Sequence, residues 1–211
     1  MSSTIKRTCV DCGSTGCRYM NGNFPDFCPG EQIENEALID EIRKKCLEEE
    51  NRKYLKAAAE VEYEGYCRLT RVEEIMEFAE KISARKLGIA CCVGLISEAR
   101  TLARVFRHRG FEVEGIGCKV GCIPKHKVGI PEECESLGRN TCNPIMQAEL
   151  LNRAHTDLNV VVGLCVGHDS LFCKYSDAPV TTAVTKDRVL CHNPAAALYG
   201  ADSYYKAKLF P

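Results

Sequence analysis

Cys9, Cys12, Cys17 and Cys28 follow the spacing C-x2-C-x4-C-x10-C. The stretch from Cys9 to Gly30 is polar, rich in Gly, Asn and Pro, and has no sustained period of 2 or 3.6, so it reads as a loop held by something other than a core. Closely spaced thiolates on a loop let a short segment wrap one metal, because successive sulfurs converge without secondary structure between them. Four cysteines suit either zinc or a cubane 4Fe–4S cluster. The spacing leaves the choice open. Zinc ribbons usually pair two C-x2-C knuckles, whereas this loop has one, and its spacing matches neither ferredoxin pattern.

The chain has 15 cysteines in 211 residues, an odd number and far above ordinary usage. Its first residues, "MSSTIKRT", are polar and basic with no apolar stretch after them, which predicts a cytoplasmic protein with reduced thiols rather than an exported disulfide scaffold. In a reducing compartment a cysteine-dense pattern points to metal binding or catalysis. With 28 basic and 29 acidic residues the net charge is -1, which provides no electrostatic footprint for nucleic acid or an anionic membrane. The longest apolar run, "LGIACCVGLI", is about half of what spans a bilayer. No P-loop occurs, no G-x-G-x-x-G follows a strand, and the glycines of "GIGCKVGC" are wrongly spaced for phosphate binding.

The second set of candidate residues emerges once the elements that carry them are placed. From Asn35, apolar residues recur at helical spacing amid charges (Leu38, Ile42, Leu47, Leu55, Val61), predicting one long helix or two joined near Glu50. Thr70 and Glu73 form a capping box ahead of a helix with Ile75, Phe78, Ala79 and Ile82 on its apolar face. Then "KLGIACCV", "FEVEGIGC", "NVVVGLC" and "VTTAVTKDRVL" read as strands separated by amphipathic helices, one of them opening at Asn143-Pro144 and running to about Arg153. Such alternation predicts an α/β fold with an open, mostly parallel sheet and flanking helices.

That arrangement puts Cys91 and Cys92 at the carboxyl end of one strand, Cys118 at the end of the next, Cys165 at the end of the third, and Cys142 just before a helix. The carboxyl ends of parallel strands face a common crevice where ligands bind. Helix N-termini favour thiolate, which suits Cys142 and Cys165 for metal ligation or nucleophilic chemistry. Alternation sends Cys91 and Cys92 to opposite faces; Cys92, nearer the turn at Gly94, is expected in the site and Cys91 in the core. His168, three residues after Cys165, and Asp169 are candidate catalytic groups: a Cys-His pair, a mixed ligand set, or a proton donor beside a cluster. The "KDR" of residues 186–188 reads as a solvated strand end or salt bridge, and Cys46 and Cys67 as small buried hydrophobes.

The motifs "CCVG", "CKVG", "CNPIMQAELLN", "GLCVGHD", "KYSDAPVTT" and "KDRVLCHNPAAALY" resemble an uncharacterised family of prokaryotic cysteine-rich metal-binding proteins, a domain of unknown function. The resemblance covers nearly the whole chain. It implies a soluble, metal-binding protein, mostly of anaerobes, with no established reaction. The family pattern includes the positions matching Cys92, Cys118, Cys142, Cys165, His168 and Asp169, while Cys122, Cys134, Cys173 and Cys191 are extra here.

The expected organisation is therefore a cysteine-rich metal-binding loop over 1–32, a helical segment packed on the core over 33–84, and an α/β domain over 85–211. The expected function is an iron-sulfur protein with up to two Cys-ligated clusters: one in the loop (Cys9, Cys12, Cys17, Cys28) and one at the sheet edge (Cys92, Cys118, Cys142, Cys165). Redox or sulfur chemistry would occur beside His168, with a redox partner or small-molecule substrate. Two alternatives stand beside it: a structural zinc protein whose body binds a small molecule or partner, and a metal-free thiol enzyme with Cys165 as nucleophile and His168 as base.

Overall fold

The structure is a computed structural model and describes residues 6–19, 22–30 and 36–211, so the helix start expected at Asn35 lies outside the described residues. The chain forms two compact units, Met1–Lys56 and Ala57–Pro211.

In the first unit, a single turn at Cys9–Asp11 opens the cysteine loop, and Asp11 accepts a hydrogen bond from the Thr8 N–H (2.7 Å). A short helix α1 (Gly16–Tyr19) follows. The loop is tied across its ends: Arg7 pairs with Asp26 at 3.1 Å and lies over the Phe27 ring, 4.3 Å from its centroid. The Ser14 hydroxyl donates to the Asn23 carbonyl at 2.9 Å, pinning the middle of the loop. The charged helical stretch is two helices, α2 (Glu36–Leu47) and α3 (Glu49–Gly65), meeting at Glu48. The boundary between the two units falls within α3.

The second unit is built on four parallel strands: β1 (Lys86–Cys91), β2 (Glu112–Gly117), β3 (Leu158–Val162) and β4 (Val180–Val184). They lie in the order β2-β1-β3-β4, all pairs parallel. Before the sheet comes α4 (Arg71–Lys81), opened by the expected capping box, with the Thr70 N–H on Glu73 at 2.7 Å and the Glu73 N–H on the Thr70 hydroxyl at 3.4 Å. Between the strands run α5 (Ile96–His108), α6 (Pro144–Arg153) and α7 (His168–Tyr175), and the short helices α8 (Ala195–Tyr199) and α9 (Lys206–Leu209) end the chain. Asn143 caps α6 as expected, its side chain accepting from the Met146 N–H at 3.0 Å.

The central strands are continuous apolar runs because both their faces are covered, as parallel sheets require. Ile89 and Cys91 face α5 through Ala99 and Ala103. On the opposite face Gly88 leaves room for the buried Asn159 and for Leu151 of α6, which a side chain at position 88 would overlap. Asn159 is fully buried and satisfied, accepting from the Thr156 hydroxyl and donating to the Ser176 hydroxyl, both at 2.8 Å. The strand order sends the connection after β1 towards β2 and the connection after β3 away to β4, which makes the carboxyl end between β1 and β3 a topological switch point.

Candidate thiol and metal centre

Backbone hydrogen bonds continue the sheet just past its last residues and fix the cysteines there. The Cys92 N–H donates to Val162 O (3.1 Å) and the Cys118 N–H to Cys91 O (2.8 Å). The Asn143 N–H then donates to Cys118 O at 2.7 Å, so the loop leaving β2 returns to its own starting point and sets Cys142 beside Cys118. The turn after β1 aims the Val93 N–H at the Cys118 sulfur, 3.4 Å away.

The two thiols share their protons unequally. Cys142 is pulled down to about 5, first by the neighbouring Cys118 thiol and then by Lys119 and His168 nearby, against the opposing effect of burial. Cys118 is pushed up, first by that same pairing and then by burial, with the neighbouring charges of Cys142 and Cys92 adding to it. Cys142 is thus the more acidic thiol of the pair and Cys118 the less acidic one. Cys92 is buried near Cys118, whereas Cys91 faces α5 and its thiol is pushed up by burial.

Cys165 has a different partner. Its sulfur accepts from Arg188 Nη2 at 3.0 Å, and its carbonyl accepts from the N–H groups of His168 (2.9 Å) and Asp169 (3.1 Å) at the start of α7. The Asp169 carboxylate accepts from the Ser170 N–H at 2.8 Å, and its charge, after burial, helps to raise Cys173 on the same helix. The structure thus gathers Cys92, Cys118 and Cys142 with Lys119 and His168, and sets Cys165 against Arg188. Cys46 and Cys67 are exposed rather than buried, Cys67 at a left-handed turn (φ 55) after α3. Cys122, Cys134, Cys173 and Cys191 are exposed as well.

In the loop of the first unit, Cys12 is lowered by the Ser14 hydroxyl, with the N–H groups of Thr15 and Ser14 adding to it. Hydrogen bonds of this kind favour the thiolate, the form that ligates metal. Among the described residues no three His, Cys, Asp or Glu side chains stand close enough to hold a metal ion as they are placed, in this loop or at the sheet edge.

Three neighbours of the centre escaped the sequence reading. Lys119 donates to Asn140 O at 2.6 Å and adds its charge to Cys142. Gln147, fully buried on α6, donates to Cys91 O (3.2 Å) and Ile116 O (2.7 Å), tying the ends of β1 and β2 beneath the thiols, while its Oε1 has no partner among the described residues. A polar residue in register with Pro144, Ala148 and Leu151 on the buried face of α6 was the available signal. The third, Arg188, belongs to the stretch read as a solvated strand end; β4 in fact stops at Val184.

The fold and this edge define a class: an α/β protein with a doubly wound, all-parallel sheet and a cysteine-rich carboxyl edge. A family model described as "Protein of unknown function (DUF1847)" matches residues 28–183, and the chain belongs to that family. The chain is also 46% identical over 172 residues to "Uncharacterized protein MJ0455" of Methanocaldococcus jannaschii, a match covering 82% of this chain and 86% of that protein. No described helix is long and apolar enough to cross a membrane.

Proposed function

We propose that this is a cysteine-ligated metal protein whose principal centre forms at the carboxyl edge of the sheet, with an iron-sulfur cluster as the bound group. The observation that carries the reading is the placement of Cys118 at the end of β2, with Cys142 on one side and Cys92, at the end of the adjacent β1, near enough for both to act on its thiol. The donor chemistry fits. Sulfur ligands in excess of histidine select soft metals, and the Val93 N–H directed at the Cys118 sulfur is a hydrogen bond of the type that tunes cluster potential. The Lys119 ammonium offsets part of the negative charge that several thiolates would accumulate. Cys92, Cys118 and Cys142 would hold the group, with Cys165 available as a fourth ligand if it leaves Arg188. When bound, a cluster supplies one-electron redox or sulfur chemistry. His168 is the group beside it able to hold or release a proton.

Cys9, Cys12, Cys17 and Cys28 form the second ligand set. The Arg7 ties to Asp26 and Phe27 support this, since they join the loop two residues before Cys9 and immediately before Cys28. The reaction class that suits two such centres is electron transfer or sulfur transfer, with a redox protein or a small molecule as partner. Zinc would use the same thiolates.

A metal-free reading is favoured by one observation, the unequal sharing of protons between Cys118 and Cys142. An acidic thiol next to a second thiol suits nucleophilic attack, and suits exchange with an external disulfide that would leave the pair oxidised and the external disulfide reduced. Purification without oxygen, followed by the visible spectrum and by iron, sulfide and zinc analysis, separates these readings. Brown protein that loses iron and sulfide in Cys142→Ser supports the cluster. Colourless protein carrying zinc alone removes iron, and protein free of metal leaves the thiol pair.

A further inference from the structure

The loop after β4 is built with more care than a solvated strand end needs. Asp187 Oδ1 gathers the N–H groups of Val189 (2.9 Å) and Leu190 (2.8 Å). The Asp187 N–H donates to His192 Nδ1 at 3.1 Å, and the His192 N–H returns to Asp187 O at 2.9 Å. Cys191 and His192 both take left-handed backbone conformations (φ 50 and 65) to close this turn. Non-glycine residues are uncommon there, so the surrounding bonds hold the shape against a local cost.

The turn fixes two cations over the ends of the two central strands. Lys186, half-buried, brings its ammonium over Gly94 in the turn after β1: Lys186 Nζ lies 3.6 Å and Cys92 Sγ 3.8 Å from the point a β-carbon on Gly94 would occupy. Arg188 reaches the loop after β3 and donates to Cys165. Neither has a carboxylate within ion-pair distance among the described residues. The nearby acid is Glu98, which its own N–H and the Ser97 hydroxyl already hold, with the charges of His192 and Lys186 acting on it from further off. Two cations are thus aimed at the switch point between β1 and β3, where open α/β sheets bind ligands, and a thiol sits beside one of them.

We infer that Lys186 and Arg188 form a binding site for a small oxyanion, a phosphorus or sulfur oxyanion in chemical class, and that the Cys165 thiol faces it. The guanidinium offers parallel N–H donors to two oxygens, and the ammonium adds a second positive charge over the end of the neighbouring strand. Gly94 lies directly beneath the ammonium, since a β-carbon there would be in van der Waals contact with both Lys186 Nζ and Cys92 Sγ. The inference does not depend on the metal reading, because Cys165 stands with Arg188 rather than with the Cys92, Cys118 and Cys142 group.

The test compares alkylation of Cys165 by iodoacetate, an anion, and by iodoacetamide, its neutral counterpart, in protein isolated without oxygen, with each cysteine followed by peptide mass spectrometry. An anion site makes iodoacetate the faster reagent at Cys165 and leaves the exposed Cys46 with the ordinary preference for iodoacetamide. Inorganic phosphate or sulfate then slows the iodoacetate reaction at Cys165 in a saturable way. Arg188→Gln lowers the iodoacetate-to-iodoacetamide ratio about tenfold, the size of one charge-assisted hydrogen bond in a partly exposed site, and Lys186→Gln lowers it less. Unchanged thermal midpoints in both variants exclude unfolding as the cause. The inference is overturned if Cys165 shows the same ratio as Cys46, if neither anion protects it, or if it resists both reagents. In the last case retained iron or zinc assigns Cys165 to the metal, and the metal reading survives the loss of this one.

Discussion

The chemistry at the sheet edge rests on single side chains, and the Cys118–Cys142 pair has a measurable pH signature. In the unfolded chain both thiols titrate at ordinary thiol values, whereas in the folded metal-free protein Cys142 loses its proton near about 5 and Cys118 retains its proton well beyond the ordinary range. Between those limits the unfolded state binds more protons than the folded state, so stability from this pair rises as pH rises from about 5 towards the ordinary thiol range. Above that range the unfolded chain has lost both protons and the fold still holds one, so stability falls again. Thermal midpoints of the metal-free protein across this window should therefore pass through a maximum on its alkaline side. Cys118→Ser replaces the thiol that holds Cys142 and should move the pH midpoint of Cys142 alkylation upwards; a midpoint that stays put would show that Lys119 and His168 suffice. Such detail was only half legible in the sequence. Strand ends and a helix start predicted Cys92, Cys118, Cys142 and Cys165 on one edge, but the first cause of the Cys142 shift is a residue 24 positions away, brought beside it by the Asn143–Cys118 backbone bond. No spacing rule announces that contact.

At the level of elements, the legible parts were those where local chemistry and global packing agree. The Thr70–Glu73 box, the Asn143 cap with Pro144 behind it, and the apolar runs of β1 and β3 each carry their own signal and appear where they were read. The exception is β4, where "VTTAVTKDRVL" has the alternation of a longer strand but ends at Val184, because Asp187 draws the next N–H groups into a turn. That misreading hid Lys186 and Arg188. Glycine positions were equally opaque, and two of them separate backbone strain from steric fit. Gly163, directly after β3, has φ 62, and a β-carbon there would run into the buried Leu95, while Gly129 has φ 72 and open space. Gly129→Ala should thus cost only the left-handed backbone, about 1 kcal/mol. Gly163→Ala adds the displacement of a core leucine, bringing the cost to roughly 2–4 kcal/mol. Urea denaturation of both variants checks the difference; equal losses would mean that Leu95 has room to move.

For the whole molecule, the division at Lys56 and Ala57 bears on how the two ligand sets relate. A zinc- or cluster-bearing loop too small to have a core draws its stability from the metal, whereas an α/β unit with a full complement of buried strands and helices does not. In the first unit the Arg7 ties and the Ser14 bridge are surface interactions of small worth, Arg7 and Asp26 being 58% and 81% exposed. In the second unit Leu87, Ile89, Val160, Phe106 and Phe172 are 2% exposed or less. On the proposed reading, Cys9→Ser with Cys12→Ser should abolish the metal of the loop and increase its proteolysis, yet leave the main thermal transition within a degree or two, roughly the scatter expected of surface substitutions. Cys118→Ser with Cys142→Ser should do the reverse, sparing the loop metal and removing the edge metal. If each pair of substitutions removes about half of the total iron, the sets are independent centres. If either pair removes all of it, the two sets are not independent and the reading of two separate centres fails. Metal content per chain, measured beside limited proteolysis of the same samples, decides between these outcomes.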